Sequence, residues 1–384
     1  MAVYKIFPIS DATIYSGYPA MNTGLDALLE ITNEYPLTLT PSPRVARSLI
    51  RFDQSEIEDV IDNKISGSNW SGSLKSSISV AEGLTQDSKL YVFPISGSWN
   101  NGTGQYLDSP QTTNGVSWVF TNESGSLKWK VDDNTLYTTS SYTSGNSGGG
   151  TWLTGSDLST ITSITGSQTF GIRNTKDLNI GVKDTIKLWY SSSKNLAPGT
   201  FTKFDNQGFL LKWEDSLEFS PSQSIQPILK YYSVDTNTIY PPSLELKWDD
   251  SSYSTTLENI ATTDLFIGLD SNPGTFYSES VNRFRLNVRP EFPVRTFQTA
   301  SLYTTNFALP QESYYAIKDL DTNEFVIDFD DNFTKISCDN NSNYFDIYMN
   351  GLEPERYYKI LIKTIISGST IVKDEDYYFK VING

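Results

Sequence analysis

Short alternating segments separated by turn strings run the length of the chain, and that pattern limits it to sheet. Examples are KLYVFPI at 89–95, VSWVF at 116–120, SLKWKV at 126–131, TIKLWY at 185–190, GFLLKW at 208–213 and SLELKW at 243–248. Each is rich in aliphatic and aromatic residues and partly alternates, as a strand with one buried face does. Between them stand NNGTG at 100–104, ESGS at 123–126, GNSGGG at 145–150 and PPS at 241–243, all turn chemistry. The 23 Tyr, 20 Phe and 8 Trp suit a pleated, half-buried surface, because bulky side chains lose rotamer freedom against a helical turn. One helix is expected, a turn or two around Gln54–Val60, with Asp53 as its N-cap. The fold class that follows is all-β, built of sandwiches.

At 384 residues the chain exceeds one ordinary sandwich. The expected organisation is a first β-sandwich over 1–250, a short β connector over 251–282 and a second sandwich over 283–384. The Ser-, Thr- and Gly-rich stretch 138–168 reads as a loop excursion from the first. DDSSYSTT at 249–256 reads as a linker, and LFIGL at 265–269 followed by DSNPGT as a connecting β-element.

Composition removes several function classes. Net charge is −16 and the sequence pI about 4.5, so a phosphate backbone or an anionic membrane is repelled on average. Histidine is absent and there is one cysteine, Cys338. That removes the usual general base, the usual transition-metal ligand and any intrachain disulfide. No cofactor or metal is expected. The opening MAVYKIFPIS lacks a basic region followed by an apolar run, so no signal peptide is expected there. Folding in a reducing cytoplasm is the expectation.

The N-terminal part carries Asp11-Ala12-Thr13-Ile14-Tyr15, then Pro19, Asn22-Thr23-Gly24, the strand LLEI at 28–31 and Arg47-Ser48-Leu49-Ile50-Arg51-Phe52-Asp53. This resembles the DNRLRE-type β-sandwich, related to some carbohydrate-binding modules, and Pro241–Leu246 resembles that family's last strand. The resemblance implies a jelly-roll-like first domain. From the residues themselves, a period of two puts Arg47, Leu49 and Arg51 on one face. There the arginine stems cover apolar surface and Asp11 is the expected charge partner.

In the C-terminal part, Leu352, Pro354 and Tyr358 fit the Leu-x-Pro-x-x-x-Tyr string of a tyrosine corner. The resemblance is to a fibronectin type III or immunoglobulin-like sandwich, where the phenol bonds back to the chain. YYAIKDL, EFVIDFD, YFDIYM, YYKILIKTII and STIVKDEDYYFKV would be its strands. The stretches 284–298, 314–349 and 352–358 also resemble a module in structural proteins of T4-like marine phages. That resemblance implies a virion protein that is made and folded in the host cytoplasm.

Candidate chemistry is sparse. Asp319, Asp321 and Asn323 mimic the start of a calcium loop, but Glu324 stands where Gly is needed and Asp330 where a bidentate Glu is usual; a hairpin turn is expected. Asp328 and Asp330 share a strand face, as paired glycosidase acids would, or as charges guarding a strand end. Trp70, Trp99 and Trp152 sit in loop-like strings; a buried anchor is the favoured reading for them, and ligand or partner contact the alternative. The expected function is therefore non-enzymatic: a virion structural protein, a neck, collar or tail adaptor or decoration piece. It would contact other virion proteins and copies of itself, and neither nucleic acid nor membrane. The alternative is a carbohydrate-binding adhesin module with a surface glycan as partner.

Overall fold

The computed structural model describes residues 2–34, 44–129, 138–140, 148–153, 164–194, 204–219, 225–270, 272–293 and 305–384. The protein is all-β. It divides into two compact units that interleave along the chain: one comprises Ile6–Asp62 and Gly72–Glu245, the other Met1–Lys5, Asn63–Ser71 and Leu246–Gly384. The second unit therefore takes in two segments from the region expected to form only the first sandwich.

In the first unit an eight-stranded antiparallel sheet centres on the strand Arg44–Phe52. Its neighbours are Pro8–Tyr15 (Ala12 opposite Leu49, Asp11 opposite Ile50), Leu28–Glu34 and Phe209–Trp213. The period of two is kept. Leu49 and Ala12 pack into a core with Trp99, Trp118, Trp129, Trp152 and Leu210, and Arg47 and Arg51 lie on that same face, stacked over its tryptophans.

The Asn22-Thr23-Gly24 turn is held by a fully buried side chain. Asn22 Nδ2 donates to the carbonyls of Asn101 (2.7 Å) and Val116 (2.8 Å), while its Oδ1 accepts from the Gly104 amide at 2.8 Å. Gly102 has φ +78°, and a Cβ there would sit 2.3 Å from Asn22 Oδ1, so this contact requires glycine.

Asp53 caps the helix Gln54–Asp59, its side chain accepting from the Ser55 amide, as expected. A second helix, Lys183–Ser193, occupies the stretch TIKLWY that alternation suggests is a strand. Ile186 and Trp189 lie three apart and both are buried. Trp189 packs 4.8 Å from Phe209, so the helical period prevails over the two-residue one. VSWVF contributes only Phe120 to a strand. Of the 138–168 stretch, 141–147 and 154–163 lie outside the described residues. Thr138–Ser140 pairs with Thr151–Leu153, so the described part includes a strand pair as well as loop.

The second unit is a sandwich. One sheet runs Leu265–Asp270, Val281–Pro290, Asn343–Tyr348, Ser337–Cys338. The other runs Thr275–Tyr277, Tyr378–Ile382, Tyr357–Ile366, Ser313–Asp319, Phe325–Ile327, with Ser369–Lys373 also on Tyr357–Ile366. Alternate residues meet between them: Leu265, Ile267, Phe284, Leu286, Val288, Phe345 and Ile347 face Tyr315, Ile317, Tyr358, Ile360, Ile362, Phe379 and Val381. Residues 251–282 are thus no mere connector. Leu265 and Ile267 are fully buried in this core, and both strands of that stretch are integral to the sheets.

The tyrosine corner is present. Tyr358 is buried, and its hydroxyl donates to the Glu353 carbonyl at 2.9 Å; Leu352 lies in the core, and Pro354 stands between them.

Candidate interaction face

The three loop-type tryptophans are not a platform. Trp70, Trp99 and Trp152 are each at least nine-tenths buried. Trp99 donates from Nε1 to the Gln207 carbonyl at 2.8 Å and lies under Arg51. Trp152 lies within cation–π distance of Arg47 and Lys212. Indole rings of that size dominate a core even when their local sequence is loop-like.

Asp11 does not pair with either arginine. It stands opposite Ile50, out of phase with Arg47 and Arg51, so it points to the other side of the sheet. There its carboxylate accepts from the Val234 amide at 2.7 Å. Burial, only partly offset by that bond and reinforced by Asp235, pushes its pKa up to about 7. Arg47 instead meets Glu218, 171 residues away, through Nη2–Oε2 at 2.5 Å and Nε–Oε1 at 3.3 Å. Lys212 Nζ reaches the same carboxylate at 3.2 Å. No local signal marks that partner. Arg51 donates to the Trp99 carbonyl and the Ser10 hydroxyl, both at 3.1 Å.

The carboxylates that mimic functional sites are tied into turns. Asp319 accepts from Arg356 Nε (2.6 Å) and Nη2 (2.8 Å) and from the amides of Asp321 and Thr322. Burial favours its neutral form, but these bonds outweigh it and its pKa is lowered. Asp330 accepts from the amides of Asn332 and Phe333, Asp328 from Phe329. Among the described residues no group of three Cys, Asp or Glu is placed to hold a metal ion. Cys338 is buried and free. No helix among the described residues is long and apolar enough to cross a membrane.

What stands out is the outward face of the larger sheet in the second sandwich. Tyr277, Phe325, Tyr357, Val372 and Tyr378 are between 39% and 60% exposed, and the strand registers put them all on the side away from the core. Lysines alternate with them. Lys318 stands opposite Lys359. Lys318 lies 5.4 Å from the Phe325 ring, Lys359 5.4 Å from Tyr378, Lys363 4.5 Å from Tyr314 and Lys380 5.9 Å from Tyr357. The lysine stems cover ring surface while their heads reach perimeter acids: Asp374 and Asp376 for Lys359, Asp331 for Lys363, Glu355 for Lys380. Such solvent-exposed pairs contribute little to stability, because water and salt screen them. This side is therefore amphiphilic, with large rings exposed around a middle where Tyr314, Ala316 and Leu361 are buried. Soluble surfaces rarely group such side chains without a partner. The opposite sheet also carries outward cations and rings: Arg283 is committed to Asp346 at 2.8 Å through two nitrogens and Arg285 to Asp339 at 2.9 Å, and Arg289 lies 4.4 Å from the ring of Phe266, which is 37% exposed.

No family model matches the chain, and no curated protein does. Among solved structures, the β-glucuronidase of Parabacteroides merdae is similar at a TM-score of 0.17 and 9% identity, over 96% of this chain and 36% of that chain. At that TM-score the likeness carries no argument about activity.

Proposed function

We propose that the chain is a non-enzymatic structural protein of a tailed-phage virion, a neck, collar or tail adaptor or decoration component, and that it docks through the tyrosine–lysine face of its second sandwich. The observation that carries the docking reading is the grouping of Tyr277, Phe325, Tyr357, Val372 and Tyr378 on one sheet face. Tyrosine rings, which have few rotatable bonds, are enriched among protein–protein hot spots, where one anchor is worth about 2 kcal/mol or more. The virion setting rests on the resemblance of 284–298, 314–349 and 352–358 to phage structural modules. The commitment of Asp319, Asp328 and Asp330 to turns supports a role without catalysis.

Cryo-electron microscopy of the purified particle tests both parts. The expected result is density for this chain at defined symmetry, with Tyr357 and Tyr378 at a subunit contact. Tyr357→Ala with Tyr378→Ala should leave the melting curve in place and abolish incorporation. A protein absent from particles and monomeric in solution would overturn the reading.

A further inference from the structure

The larger sheet of the second sandwich has an open rim along Ser369–Lys373. That strand pairs on one side with Tyr357–Ile366, and among the described residues no strand pairs with its other side. Which backbone groups face outward follows from the ladder. The Ile365 amide donates to the Glu312 carbonyl, on the side of Ser313–Asp319. Backbone groups of successive residues in a strand point to opposite sides, so those of Thr364 and Ile366 point the other way, to Ile371 and Ser369. Thr370 and Val372 therefore turn their N–H and C=O out of the sheet. Both residues are exposed, whereas Ile371 between them packs half-buried against the core. Ser367 and Gly368, at φ +49° and +80°, hold the strand in a tight two-residue hairpin.

A rim of β-branched residues with free N–H and C=O groups is a template for another strand. We infer that the strand it takes is its own counterpart in a second copy of this chain: Ser369–Lys373 pairs antiparallel with itself about a two-fold axis at Ile371, joining two larger sheets into one. Centred there, Thr370 stands opposite Val372 of the second copy and Val372 opposite its Thr370, so the outward groups of both residues are paired. Ile371 stands opposite its own counterpart in the closer, non-bonded position, where side chains touch. Centring on Thr370 sets Val372 against the turn, and centring on Val372 sets Thr370 against Asp374, beyond the strand. The charges agree with the Ile371 register. Lys373, a cation of the kind that guards strand edges, falls opposite Ser369 and not another lysine, while Asp374, Glu375 and Asp376 fall beside the uncharged turn. Side chains that face outward in one copy still do so in the joined sheet, so the docking face stays open. The inference uses backbone groups at the rim and does not rest on the docking reading.

Sedimentation equilibrium of the full chain tests it. The parent should form dimers. Thr370→Lys with Val372→Lys sets like charges opposite each other across the pair and should weaken dimerisation about tenfold or more. Thr370→Lys with Val372→Glu sets opposite charges there and should keep the dimer. Both positions are exposed, so the melting curves should stay in place. Tyr357→Ala with Tyr378→Ala, which strips the docking face, should leave the dimer intact. A dimer that survives the two lysines, that both charge variants lose alike, or that the two alanines abolish overturns the inference. So does a parent that stays monomeric at the highest concentration reached; if that monomer still enters particles, the edge pairing falls and the virion reading stands.

Discussion

Replacing Glu218 by Gln should destabilise the first unit more than any other single charge change in it. Glu218 and Arg47 are both fully buried and Lys212 is 1% exposed, so one buried carboxylate serves two buried cations. The fourth member, Asp215, bonds Lys212 at 2.5 Å but is 73% exposed. In Glu218→Gln, Arg47 keeps the Gly149 carbonyl at 2.6 Å and the faces of Trp118 and Trp152, and Lys212 keeps Asp215 at 2.5 Å, but the buried carboxylate that both cations share is lost. Breaking a buried pair from one side costs about 3–5 kcal/mol, because the other charge stays desolvated. For a domain of this size class that is a Tm fall of about 6–20 °C. Arg47→Met should cost less, since Glu218 keeps Lys212 and the methionine still fills the space between the indoles. Differential scanning calorimetry of the full chain with each variant decides it. A Gln variant within about 1 kcal/mol of the parent, or an Arg47→Met variant worse than Glu218→Gln, would refute the reasoning.

Two further outcomes are expected. Tyr358→Phe removes the hydroxyl that satisfies the Glu353 carbonyl and should lower the stability of the second unit by about 1–3 kcal/mol in urea melts, without loss of the fold; an unchanged midpoint would show that the corner bond contributes nothing. Asp11 has a folded pKa raised to about 7, above its usual value of 3.8, chiefly by burial, so folding takes up a proton between those values. Its contribution is full below about pH 4, declines as pH rises to about 7 and is level beyond, a change of about 4 kcal/mol at most. Asp11→Asn keeps an oxygen acceptor for the Val234 amide and should flatten stability across that window; a variant as pH-dependent as the parent would show that other groups carry the slope.

Local rules were legible where a single segment settles the outcome. Asp53 caps a helix because its carboxylate reaches an amide two residues on, and Tyr358 closes a corner five residues long. Arg47, Leu49 and Arg51 share a face because strand geometry leaves no other choice. The same rules misled where two periods fit one segment, as at 183–193, where Ile186 and Leu188 alternate but Ile186 and Trp189 share a helical face. Burial of Trp99 and Trp152 follows from ring size, as expected, but nothing in the Ser, Gly and Asn around them says that the loops fold inward over Arg47 and Arg51.

The sequence by itself determined that the chain is all-β, where the helix at Gln54 begins, and that Leu352 to Tyr358 forms a corner, because each depends on periodicity or on contacts a few residues long. Tertiary structure alone decided which charges meet and which faces remain open. Arg47 finds Glu218 across 171 residues and Asp11 finds Val234 across 223, and Leu265 and Ile267 become core only once a second sheet covers them. Strand order and register set those encounters, and both are collective properties of the folded chain that no local spacing encodes.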